Sequence, residues 1–186
     1  MINPSDLHVI CVVSNPIRFN SRDKLFREFR ERMQKSKATV WIVEARFGER
    51  DFTHVDPLDP HHILLDFNQE VWKKEAMINA ATRFLPRDWK YVMWMDGDIE
   101  FINREWETEV IQQLQHFSVV QPFQHAIDLG PDLEVMKQHQ SFGSTYVNGS
   151  YQIAKDAPAG GIQATYYYGN NRMNSRSGAY AHPGYA

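Results

Sequence analysis

Tyr91-Val92-Met93-Trp94-Met95-Asp96-Gly97-Asp98-Ile99-Glu100-Phe101 constrains this chain more than any other stretch. A short run of β-favouring and aromatic residues ends abruptly in two carboxylates one residue apart. Pro86 and Asp88 bound it on one side and a helix-start signal at Asn103 on the other, so it reads as a buried strand. A strand that runs into Asp-Gly-Asp carries both carboxylates at its C-terminal end, where open α/β sheets hold their ligands. Gly97 lets the backbone bend, and Asp96 and Asp98 can then reach one hard cation. Such a cation would most simply hold a diphosphate.

Two blander readings compete. Asp-Gly is ordinary turn chemistry, and a solvated acidic turn has the same letters. The stretch also scans in part as a calcium loop, with Asp96, Asp98, Glu100 and Glu107 at the first, third, fifth and twelfth positions. The sixth is Phe101 where the sharp turn needs glycine, and what precedes is strand-like rather than helical. The neighbours must decide.

The chain is 186 residues long, one domain's worth, with 42% apolar and 13% aromatic residues, which describes a globular protein with a real core. A net charge of −3 gives no reason to expect nucleic acid or an anionic membrane as partner. No apolar run reaches the roughly 18 residues of a membrane span, and the first residues lack the basic flank of a signal peptide. The single cysteine, Cys11, lies in an apolar run and reads as a small core residue. A reducing, cytoplasmic setting is the expectation.

Residues 7–14 form a near-continuous apolar run, as in a strand covered on both faces. After Asn15-Pro16, Asn20 or Ser21 should cap a helix with Leu25, Phe26, Phe29 and Met33 on its apolar side. A β-rich segment follows at residues 39–44, which makes a βαβ unit the default. A surface loop should occupy residues 47–60, then a short strand residues 63–67. The next helix is expected over residues 69–84, with Trp72, Ala76, Ala80 and Phe84 as its stripe. Beyond the Asp-Gly-Asp strand, a helix begun by Asn103 should bury Trp106, Val110, Leu114 and Phe117, and residues 118–123 read as one more strand. The expected fold class is therefore α/β, an open, mostly parallel, Rossmann-like sheet with helices on both faces. Seven of the ten glycines and seven of the eight tyrosines fall within residues 143–186, without helical or alternating period. This divides the chain into a core over residues 1–142 and a loop region over 143–186, read as loops on the open edge of the sheet.

The ordered pattern resembles the GT-A fold of nucleotide-sugar-dependent glycosyltransferases, the family-2-like enzymes in particular, over residues 7–123. The resemblance rests on the polar loop Ser14-Asn15-Pro16-Ile17-Arg18 after the first strand, Glu44 at the end of the second, Trp72-Lys73-Lys74-Glu75 with Asn79, and the Asp-Gly-Asp strand. It also resembles a phage and bacterial subgroup with W-x-K-E…N before that strand and V-V-Q-P-F after it. It implies that Asp96 and Asp98, with His182 as a late ligand, hold Mn²⁺ or Mg²⁺ against the donor's diphosphate. It further implies that Ser14, Asn15 and Glu44 touch base and ribose, that Lys74 or Arg18 meets a phosphate, and that the donor is a UDP- or GDP-sugar. The catalytic base of such enzymes is an acid well downstream, and the chain stops at Ala186 where that region should begin. Asp128, Asp132, Glu134 and Asp156 are the acids after the Asp-Gly-Asp helix, and none sits in a matching motif. The expectation is a shortened chain that lacks its base, or one in which an unrecognised acid substitutes. A nucleotidyltransferase on a related sheet and a non-catalytic nucleotide-sugar-binding module are the alternatives. The first would want a glycine-rich phosphate loop after the first strand, which residues 14–18 lack.

Overall fold

The computed structural model describes residues 2–71 and 73–141, together with the backbone of two further strands, Ala164–Tyr167 and Gly178–Ala181. Among the described residues, ten strands and three α-helices follow in chain order. They are β1 (Leu7–Val13), α1 (Asn20–Met33), β2 (Thr39–Phe47), β3 (His62–Phe67), α2 (Lys74–Ala81), β4 (Tyr91–Asp96) and β5 (Ile99–Phe101). After them come α3 (Trp106–Leu114), β6 (Val119–Val120), β7 (His125–Leu129), β8 (Val135–Gln140), β9 (Ala164–Tyr167) and β10 (Gly178–Ala181).

The main sheet has the order β3-β2-β1-β4-β10-β6. Its first four strands run parallel, and β10 lies antiparallel between β4 and β6. The near-continuous apolar run of β1 has its cause here, because helices cover both faces. Leu7, Val9, Cys11 and Val13 face Phe26, Phe29 and Met33 of α1 and Trp106, Val110 and Leu114 of α3. Ile10 faces the opposite side, with Trp41, Val43 and the α2 residues Met77 and Ala81. Val92 and Trp94 lie on β4, one of the two central strands, as expected. A second sheet, β5-β9-β7-β8, grows from the strand that follows Asp98.

Four local expectations are corrected. The helix expected over residues 69–84 begins at Lys74 and buries Lys74, Met77 and Ala81, while Ala76 is exposed and Phe84 is 58% exposed. The two candidate stripes differ by one residue, and packing on β1 and β2 selects the one with the larger side chain, Met77. Trp72 lies outside the described residues. Neither Asn20 nor Ser21 caps α1, whose N-cap residue is Phe19. Asn15 instead fixes that residue in the approach to the helix, accepting from the Phe19 N–H (3.0 Å) and donating to the Phe19 carbonyl (3.0 Å). The strand expected over residues 118–123 shrinks to Val119–Val120. Lastly, within the glycine- and tyrosine-rich region expected to form loops at the sheet's edge, the segment β10 is an internal strand. Backbone pairing needs no side-chain period, so this strand leaves no pattern in the linear order of residues.

Candidate functional site

In the order β3-β2-β1-β4 the chain proceeds outward in one direction from β1 to β3, then crosses back to enter β4 on the other side of β1. The strand order reverses between β1 and β4, and the crevice at their C-terminal ends is where sheets of this kind take ligands. Val12 of β1 stands in register with Asp96 of β4, so the loop after β1 and the Asp96-Gly97-Asp98 turn line one crevice.

Asp96 is the last residue of β4 and Asp98 lies in the turn before β5. The Lys74 ammonium, at the start of α2, pairs with Asp96 Oδ1, and both side chains are largely buried, at 8% and 15% exposure. Asp96 Oδ2 and Asp98 Oδ1 are buried with no hydrogen-bond partner among the described residues. Burial first, and the charge on Asp96 second, push the Asp98 carboxyl up to about 7, against the pull of Lys74 and Arg22. Two carboxylates facing one ammonium leave an acidic, under-coordinated pair, which fits a divalent cation. Among the described residues no third His, Cys, Asp or Glu joins them. A cation there would complete its shell with ligand or water oxygens, as Mg²⁺ commonly does. The calcium-loop reading falls, because β4 rather than a helix leads into the acids.

Gly97 is required for a different reason than bending. Among the described glycines only Gly48 has a left-handed φ, of 64°. A Cβ on Gly97 would instead fall on the Phe26 ring and 3.4 Å from Cys11 Sγ. Cys11 is fully buried as expected, and burial pushes its thiol up.

The other candidate donor contacts divide. The Ser14 carbonyl accepts from Arg22 Nη1 (2.9 Å), which ties α1 to the end of β1. The Asn15 amide is engaged with Phe19 and with Asp23 Oδ1 (2.8 Å), so it shapes the loop. Arg18 is exposed, has a left-handed φ of 59°, and lines a cavity of about 530 Å³ with Gly48, Arg50, Asn68 and Glu70. Arg50 bridges that cavity's walls by pairing with Glu70 and donating to the Pro16 carbonyl (3.0 Å). Glu44, for which the resemblance implies a contact to base or ribose, is engaged within the fold. Its Oε1 accepts from Thr53 N (2.9 Å) and Oγ1 (3.0 Å), and its Oε2 from His54 N (2.8 Å) and Val55 N (3.0 Å). Four bonds saturate the carboxylate, and it pins the loop expected to run over the surface. His182 lies outside the described residues.

Sequence reasoning missed His54, which is buried at 5% exposure. Its Nε2 lies 2.9 Å from Asp23 Oδ1, and its ring meets Phe26 edge-on at 4.7 Å. Burial raises the Asp23 carboxyl, but the hydrogen bonds from Asn15 and His54 outweigh that and hold it below its usual range. The chain Glu44–His54–Asp23–Asn15 thereby fixes the loop beside Asp96 from beneath. A histidine in a proline-bearing loop offers no periodic signal for this.

The fold and site thus define an α/β protein with a paired-carboxylate crevice at its strand-order reversal. No protein-family model and no curated protein matches the chain. Among solved structures it is similar to a candidate nucleotide-diphospho-sugar transferase from Desulfovibrio desulfuricans G20, at 22% identity and a TM-score of 0.41. The likeness covers 69% of this chain and 60% of that protein. No helix among the described residues is long and apolar enough to cross a membrane.

Proposed function

We propose that this chain is a metal-dependent glycosyltransferase that binds a UDP- or GDP-sugar in the β1/β4 crevice. The observation that carries the reading is the pair of buried, partnerless oxygens, Asp96 Oδ2 and Asp98 Oδ1, at the strand-order reversal. Buried polar atoms are nearly always satisfied, so an unpaired couple of carboxylate oxygens calls for a cation. The residues that fit Mn²⁺ or Mg²⁺ are Asp96 and Asp98, and His182 is retained from the sequence resemblance alone. When bound, the cation supplies charge neutralisation on the departing nucleoside diphosphate.

Lys74 pairs with Asp96 Oδ1 and leaves Oδ2 open, so its ammonium would add positive charge beside a diphosphate held at the same carboxylates. Arg18 stands at the rim of the neighbouring cavity, suited to the outer part of the nucleotide. Ser14 remains a candidate contact for base or ribose. Asn15 and Glu44 act on the donor only by holding the loops that bear those groups.

A melting scan tests this. UDP or GDP at ~100 times its dissociation constant should add about 2.7 kcal/mol of stability with Mn²⁺ or Mg²⁺ present and nothing in a chelator. Absence of any metal-dependent shift across the common nucleoside diphosphates overturns the reading.

A further inference from the structure

Lys74 shares the crevice with a second cation, Arg22, in the first turn of α1. Three observations locate its guanidinium. Phe26, one helical turn further along α1, lies against the Asp96-Gly97-Asp98 turn, since a Cβ on Gly97 would fall on its ring. Residues four apart share one face of a helix, and α1 returns antiparallel to β1. Arg22 therefore follows the same face about 6 Å nearer the C-terminal ends of the strands. Its Nη1 donates to the Ser14 carbonyl at 2.9 Å. Ser14 is two residues beyond Val12, the register partner of Asp96, so this anchor stands one strand over and about 7 Å past the level of Asp96. Lastly, Lys74 and Arg22 are the cations whose charge acts on the Asp98 carboxyl.

The guanidinium has donors to spare. It carries five N–H groups, and the Ser14 carbonyl is the one hydrogen-bond partner it meets among the described residues. No carboxylate among those residues pairs with it, and the adjacent acid, Asp23, is engaged by Asn15 (2.8 Å) and His54 (2.9 Å) instead. Arg22 is half-buried, so its field at the crevice is screened less than that of an exposed arginine. With a divalent cation at Asp96 and Asp98, the two carboxylates, Lys74 and the metal together leave a single positive charge. The diphosphate of a nucleotide sugar carries two negative charges, and a guanidinium fork matches two of its oxygens.

We propose that Arg22 is a diphosphate-binding residue of this chain, donating a pair of N–H groups to phosphate oxygens beside the cation at Asp96 and Asp98. The proposal rests on the donor-binding part of the glycosyltransferase reading. Arg18 lines the neighbouring cavity, which leaves the phosphates to Arg22 and Lys74.

The test uses the whole chain with Mn²⁺ and three probes, UDP, GDP and pyrophosphate, with binding and melting followed in parallel. Arg22→Gln should weaken Mn²⁺-dependent binding of all three ~10–100-fold. Arg22→Lys keeps the charge but loses the fork, and should weaken it by a smaller factor. Mn²⁺ alone should bind Arg22→Gln at least as tightly as the wild type, because a repelling charge has gone. Wild-type affinity for the probes in Arg22→Gln overturns the proposal. So does an equal loss of Mn²⁺ and probe binding with earlier melting, the mark of a brace between α1 and β1. A loss seen with UDP and GDP but not with pyrophosphate overturns it too, because Arg22 then meets base or ribose. If Arg22→Gln does not fold, Arg22→Lys decides, and wild-type affinity there counts against the proposal. A wild type that binds none of the probes with Mn²⁺ sinks the donor reading and the proposal with it, whereas failure of Arg22 alone leaves wild-type binding intact.

Discussion

Burying Asp98 beside Asp96 makes the folded chain hold a proton that the unfolded chain gives up. The Asp98 carboxyl sits at about 7 in the fold, against 3.8 as its ordinary value. Below 3.8 both states keep the proton and the group is neutral to stability. Between 3.8 and about 7 only the folded state keeps it, so stability falls as pH rises through that window. The contribution is isolated by comparison with Asp98→Asn, which does not titrate. In chelator, urea titrations should show the wild type losing ground to the variant from the acid end of that window to its neutral end. Saturating Mn²⁺ should reverse the order, because a cation stabilises the ionised pair. A flat difference between the two proteins would mean that Asp98 reaches solvent. Gly97 makes a second prediction at this scale. Gly97→Ala should cost about 1–3 kcal/mol through displacement of the Phe26 ring, read as a lower urea midpoint. Phe26→Leu in the same background should return part of it.

The loops and helices around the crevice are selected by packing and by single polar anchors. Glu44 holds the turn of residues 53–55 with four hydrogen bonds. Glu44→Gln turns one side-chain acceptor into a donor facing backbone N–H groups, and should lower stability by ~2–3 kcal/mol. Nucleotide binding, corrected for the unfolded fraction, should stay unchanged, whereas a direct donor contact would lose affinity. For α2, the buried face decides. Met77→Ala should cost ~2–5 kcal/mol by leaving a cavity under the sheet, while Ala76→Ser should remain within ±0.5 kcal/mol. Similar penalties at both positions would restore the stripe that the sequence suggested.

At the scale of the whole molecule, Cys11 reports on opening. It is the chain's one cysteine, fully buried in β1 behind the Asp96–Asp98 turn. Thiol labelling of the native protein should therefore proceed only through unfolding of the central sheet. Mn²⁺ with UDP or GDP at ~100 times its dissociation constant should slow labelling about 100-fold. Labelling at an unchanged rate would show that opening at β1 is not coupled to the crevice. Residues that repeat at short range had already disclosed much of this frame. The apolar runs of β1 and β4 announce strands buried on both faces, Phe26, Phe29 and Met33 announce the inner side of α1, and Asp96-Gly97-Asp98 announces the acidic turn. Each is a local pattern enforced by the period of a strand or helix, so it is legible in one dimension. What only the tertiary structure decided lies in contacts between distant segments. The pairing of Lys74 with Asp96, the saturation of Glu44 by residues 53–55, the burial of His54 on Asp23 and the insertion of β10 beside β4 leave no period in the sequence. They depend on which surfaces meet once the sheet has formed, and burial and hydrogen-bond satisfaction choose among partners that the linear order does not distinguish.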